Sequence, residues 1–125
     1  MSVLTAGDAA PATLEWSQLP SLPDGEGFAS PFASVSNGAL LVAGGANIPA
    51  DKWADVFTKT WNDRVFVLEH GSSRWKTGFA LPRALAYGVS VTTDNSVLCF
   101  GGSDATRHHL THNADSAPTP LRSRW

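Results

Sequence analysis

Cysteine is nearly absent from this sequence: Cys99 is the only one, so no internal disulfide can form and packing with hydrogen bonding must hold the fold. It lies in the apolar run Val97-Leu98-Cys99-Phe100, where a lone thiol behaves as a small buried hydrophobe rather than a reactive group. Charge is also scarce, at 16% of residues against about 25% in an average soluble domain. The formal net charge of -2 leaves no basic field to gather nucleic acid or an acidic lipid surface. No apolar stretch approaches the roughly 20 residues a membrane helix needs, so no membrane partner is expected. The opening MSVLTAGDAAPATLEW lacks a basic stretch followed by an apolar core, so no secretory signal is read and a cytoplasmic location is expected. His108, His109 and His112 cluster, but no cysteine or second ligand group stands at a matching spacing. Neither a metal nor any other cofactor is expected.

Glycine, proline and tryptophan are plentiful instead, with 11, 8 and 5 residues, which fits an all-β chain rich in turns. A repeat emerges when the chain is laid on itself. FASVSNGALLVAGG, starting at Phe32, aligns with YGVSVTTDNSVLCFGG, starting at Tyr87. Gly44-Gly45 and Gly101-Gly102 are offset by 101 − 44 = 57 residues, and Asn37-Gly38 and Asp94-Asn95 by the same interval. Trp16 and Trp75 are each followed by a Leu-Pro pair, Leu19-Pro20 and Leu81-Pro82. Asn37-Gly38 favours positive φ between apolar runs and predicts a tight hairpin. Arg64-Val65-Phe66-Val67-Leu68-Glu69 alternates like a strand, and His70-Gly71-Ser72-Ser73 makes the next turn.

These signals predict one complete four-stranded unit. Its strands cover Pro31 to Ser36, Ala39 to Gly44, Asp63 to Glu69 and Ser73 to Gly78. Thr13 to Gln18 reads as the last strand of a preceding unit. Ala84 to Thr93 and Val97 to Gly101 read as the first two strands of a following one. Trp16 and Trp75 are expected to pack between units. Trp53, Val56, Phe57 and Trp61 have near-helical spacing, so a short helix packed over the sheet is expected between the second and third strands. Pro20-Ser21-Leu22-Pro23 fits a rigid link better than a PxxP ligand. Leu110 to Trp125 has two prolines and no apolar period and reads as a tail that pairs with nothing. The division is a disordered N-terminus over 1–12, the repeat region over 13–109 and an unmatched, disordered tail over 110–125.

The double glycine, the spaced Phe66 and Leu68 and the following Trp75 resemble Kelch repeats, with Phe66 where that pattern usually has tyrosine. GFASPFASVSNGALLVAGGANIP and LPRALAYGVSVTTDNSVLCFGGSDATRHH are similar, more narrowly, to the cyclically permuted mutarotase branch that contains the N-acetylneuraminate epimerases, and so is the strand from Trp61 to Leu68. The likeness runs from about Leu14 to His109. It implies an incomplete Kelch-type β-propeller, about two blades of a six-bladed one, from an isomerase that interconverts the α and β anomers of a sialic acid. The implied partner is sialic acid or a related sugar, and the family also has secreted or periplasmic members. By itself the chain is expected to be inactive. It is also expected to leave Val65, Val67, Val89 and Val91 only half covered and to self-associate through open blade edges. The alternative is a Kelch module that binds a protein on its loop face without catalysis.

Antiparallel pairing puts the start of the first strand and the end of the second at one end of a blade, so the loops there share a face. Mutarotation needs a proton donor and acceptor near the ring oxygen, and an anionic sugar needs a carboxylate clamp. Arg83 and Arg107 are the candidate clamp, with Asn47 as a further substrate-binding residue. Glu26, Asp104 and His108 are the candidates for proton transfer. Structural roles compete at several of these positions. Arg83 could bond a neighbouring blade, and Asp104 or Asn47 could cap its own loop through an Asx-turn.

Overall fold

The structure is a computed structural model that describes residues 13–48 and 58–109 and the backbone of Thr119–Arg122. Every regular element among these residues is a strand. They are β1 (Phe32–Ser36), β2 (Ala39–Ala43), β3 (Ala46–Asn47), β4 (Thr60–Trp61), β5 (Arg64–Glu69), β6 (Lys76–Ala80), β7 (Ala86–Thr93), β8 (Ser96–Ser103) and β9 (Thr119–Arg122). The first blade is the antiparallel sheet β1-β2-β5-β6, and the second is β7-β8-β9. Asn37 and Gly38 both take positive φ, 49° and 71°, which joins β1 to β2 by the tight hairpin predicted for this dipeptide.

The double glycine ending β2 has a specific reason. Gly44 and Gly45 have φ of 67° and 101°, and Gly101 and Gly102 repeat this at 64° and 97°. In the first blade the turn brings Gly45 N–H to the carbonyl of Leu85, 2.8 Å away, tying the blade to the segment that leads into β7. A methyl group on Gly44 would collide with that same carbonyl. The second blade is held to the first by its inner strand. Ser90 and Thr92 hydroxyls donate to the carbonyls of Ala33 and Val35, each at 2.7 Å and each 57 residues away. That is the repeat interval read from the glycines, so equivalent positions of successive blades bond one another.

Phe32, Leu41, Ala43, Val65 and Val67 of the first blade meet Val97 and Cys99 of the second in one buried cluster. Phe66 and Leu68, on the opposite face of β5, are also buried, so β5 is covered on both sides rather than alternating. Residues 20–28 provide the second cover: Phe28 packs on Phe66 with ring centroids 5.8 Å apart, and Asp24 pairs with Arg64 at 2.7 Å. Val65 and Val67 are therefore fully enclosed, not half covered. Val89 and Val91, on the far face of the second blade, are 63% and 50% exposed.

Several expectations are corrected. Thr13 to Gln18 forms no strand, and Trp16 is 90% exposed, because no described strand lies beside this segment to complete a ladder. The outer strand starts at Lys76, not Ser73, since the Ser72 hydroxyl accepts from Arg74 N–H and extends the turn. Trp75 thus precedes the strand and donates its indole N–H to the Pro20 carbonyl at 2.9 Å. Thr60 and Trp61 pair as β4 with Asn47 and Ala46, so the expected helix does not reach Trp61. Its remaining residues, Trp53, Val56 and Phe57, lie outside the described residues.

The tail also differs from expectation. Thr119–Arg122 pairs continuously with Ser96–Cys99 and gives the second blade a third strand. The unpaired edge of β8 is a template for any extended segment, and Pro120 is tolerated because β9 is itself an edge strand. The other residues of 110–125, and residues 1–12, lie outside the described residues.

Candidate functional site

Three connections converge at the loop end of the two blades. Lys59, Thr60 and Trp61 come from β4 and the residue before it, and Arg83 and Ala84 from the β6-to-β7 connection. Asp104, Ala105 and Thr106 come from the turn after β8. Together they line a cavity of about 430 Å³ that is an open surface groove, not an enclosed pocket. β4 is held to β3 by the Ala46–Trp61 and Asn47–Thr60 pairs, and the turn after β8 is closed by the Ser103–His108 bridge.

Asp104 organises the last of these connections. Its Oδ1 accepts from Thr106 N–H at 2.8 Å, the Thr106 hydroxyl at 2.7 Å and Arg107 N–H at 3.0 Å. Its Oδ2 lies 2.7 Å from His109 Nε2. The Thr106 hydroxyl and N–H, then His109 and the Arg107 N–H, hold the Asp104 carboxyl far below the usual carboxylate range, against a smaller opposing effect of burial. Asp104 is thus an ionised loop cap. To take up a proton it would have to surrender these bonds.

Asn47 lies in β3 and donates from Nδ2 to the Gly27 carbonyl at 3.2 Å, bracing the residues that cover the first blade. Glu26 belongs to that covering segment and is exposed, with its N–H donated to Asp24 Oδ1 at 3.0 Å. Arg83 is exposed at the cavity wall. Arg107 and His108 are exposed beyond the turn and do not line the cavity. Of the six residues singled out in sequence, the cavity therefore gathers Arg83 and Asp104. Among the described residues, no three His, Cys, Asp or Glu side chains gather to hold a metal. Burial pushes the Cys99 thiol up to about 11, which makes it unreactive near neutral pH.

Sequence reasoning missed His109, the partner of Asp104, and the group around Lys59. The Lys59 ammonium lies 4.2 Å from the centroid of the Tyr87 ring and 5.3 Å from that of Trp61. The strand-like i, i+2 spacing of Lys59 and Trp61 was the available signal, and the helix reading obscured it. Tyr87 has φ of 65°, unusual for a bulky residue, and its N–H is held by the Ser30 carbonyl at 3.1 Å.

Comparison with known proteins agrees with this architecture. The family model for N-acetylneuraminate epimerase matches residues 3–115, further at both ends than the Leu14-to-His109 likeness read in sequence. An N-acetylneuraminate epimerase of Haemophilus influenzae is 35% identical over 103 residues, covering 71% of this chain and 27% of the relative. One from Salmonella enteritidis is 36% identical over 104 residues, with 74% and 27% covered. One from Vibrio cholerae is 38% identical over 86 residues, with 62% and 22% covered. The solved structure of YjhT superposes with a TM-score of 0.69 at 24% identity, over 86% of this chain and 34% of that one. The chain spans about a quarter of the length of the curated relatives it matches. With two adjoining four- and three-stranded blades and a family match over most of its length, it belongs to the N-acetylneuraminate epimerase family and is part of a β-propeller.

Proposed function

We propose that this chain supplies one substrate-binding wall of a sialic acid mutarotase, an isomerase that interconverts the α and β anomers of the sugar. The observation that carries the proposal is the cavity where three connections meet, walled by Arg83, Lys59 and Trp61. A cation to meet a carboxylate and an aromatic ring to meet a sugar face are what an acidic pyranose requires. Arg83 and Lys59 are the two cations this reading offers to the carboxylate. Arg107 stands outside this wall on the Asp104 turn, and Asn47 acts at one remove by bracing the covering segment through the Gly27 carbonyl.

Proton transfer is assigned differently. Asp104 is committed to its turn, and Glu26 and His108 do not line the cavity. Ring opening is therefore assigned to groups beyond this chain, and the chain alone is expected to bind sugar without accelerating anomer exchange. A cytoplasmic location and self-association through free blade edges belong to the same proposal. No helix among the described residues is long and apolar enough to cross a membrane. A protein-binding module would use exposed aromatic residues on the loop face, of which Trp53 lies outside the described residues, and the cavity favours a small ligand.

The test is saturation-transfer NMR on the 125-residue chain with N-acetylneuraminate, with exchange between its two anomers recorded in the same tube. Transfer to the sugar with exchange at the buffer rate is the expected outcome. Absence of transfer at millimolar sugar sinks the binding reading, and exchange above the buffer rate sinks the assignment of proton transfer elsewhere.

A further inference from the structure

Lys59 belongs to none of the sequence motifs, yet it is the most constrained cation of the cavity. A free lysine carries about 2 kcal/mol of rotamer entropy, much of which is lost when it grips a ligand. Here the exposed Lys59 ammonium lies over the Tyr87 and Trp61 rings, 4.2 and 5.3 Å from their centroids, and these contacts narrow the positions it samples. Tyr87 is held in place by its backbone: the residue sits at φ of 65° and is tied to Ser30 by its N–H. Such a conformation costs about 1–3 kcal/mol for a non-glycine residue and persists only where the surroundings enforce it.

The charge balance of the cavity points the same way. Its walls carry two cations, Lys59 and Arg83, and one carboxylate, Asp104. That carboxylate is saturated by Thr106, Arg107 and His109. Among the described residues, neither Lys59 nor Arg83 takes part in an ion pair. Two cations sharing one cavity repel each other and are relieved by an anion placed between them. The compact ammonium of Lys59 acts as a point charge, whereas Arg83 offers an oriented fork.

We propose that Lys59, positioned by Tyr87 and Trp61, is the residue that makes this cavity select acidic sugars over their neutral counterparts. The proposal rests on the sugar-binding reading of the same cavity, and it adds the residue that sets the charge requirement. Trp61 supplies the reporter: its indole N–H is shielded from solvent and finds no partner among the described residues, so a neighbouring ligand shifts its resonance.

The experiment titrates the full 125-residue chain with N-acetylneuraminate and, separately, with its methyl ester, following the Trp61 indole signal assigned through Trp61→Phe. The wild-type chain is expected to prefer the acid by about tenfold, the worth of one charge-assisted hydrogen bond. In Lys59→Met the acid-to-ester preference should fall to about threefold or less, and Lys59→Arg should restore most of it. Amide spectra confirm that each variant is folded, and Lys59→Gln takes the place of Lys59→Met if the latter is not. A full acid preference in the lysine-free variant overturns the role of Lys59 and leaves the sugar reading standing. Binding of neither acid nor ester to the wild-type chain overturns both.

Discussion

Gly44 is the residue at which local conformation and long-range packing depend on each other most. Its φ of 67° is a conformation that side chains resist, and the Leu85 carbonyl occupies the space a methyl group would need. Gly44→Ala should therefore destabilise the chain by about 2–4 kcal/mol, read as a lower urea midpoint. Gly71 also has positive φ, but open space surrounds it, so Gly71→Ala should cost less. Asp104 gives the corresponding prediction for pH. Its folded carboxyl is held below its unfolded value, so its contribution is complete above the ordinary carboxylate range and is lost as pH falls through the depressed folded value. Asp24 is depressed in the same direction, first by the Glu26 N–H and also by the Gly27 N–H and Arg64. The Thr106 and Arg107 amide signals should accordingly hold their positions on mild acidification and move only in strong acid. In Asp104→Ala they should lose this acid transition entirely. A transition at the ordinary carboxylate range in the wild-type chain contradicts the hydrogen-bonded cap.

Individual strands show how much of the fold could be read from the sequence. The Asn37-Gly38 hairpin and the two double glycines were legible because each needs positive φ, and few residue types provide it. The 57-residue interval was legible for the same reason, and it reappears as the Ser90–Ala33 and Thr92–Val35 bonds. β9 was not legible, since its existence depends on the open edge of β8 rather than on any pattern of its own. The start of β6 was misplaced because a single side-chain bond, Ser72 to Arg74, decides where the turn ends. At the site, Arg83 and Asp104 could be found because their loops are fixed by topology. The Lys59–Tyr87 contact could not, because it forms only across two blades. β9 yields its own prediction. A chain ending at His109 should lose about 1–2 kcal/mol of stability, show faster amide exchange over Ser96–Cys99 and aggregate more readily. Unchanged exchange there would show that β9 contributes nothing to the sheet.

For the molecule as a whole, the two blades and the covering segment pack around the Phe32–Val97 cluster, with the three converging connections at one end and the tight hairpins at the other. This polarity follows from antiparallel pairing alone, and under the proposed function it decides which residues a sugar would reach. Val89 and Val91, exposed on the far face of the second blade, do not line the site where the three connections meet. The most direct test is a residue-resolved amide titration of the 125-residue chain with N-acetylneuraminate. Shifts should concentrate at Thr60 and Trp61, Ala84 and the Asp104–Arg107 turn, with Asn37-Gly38 and Asp94-Asn95 unmoved. Shifts centred on those two hairpins, or on Val89 and Val91, would contradict the placement of the site.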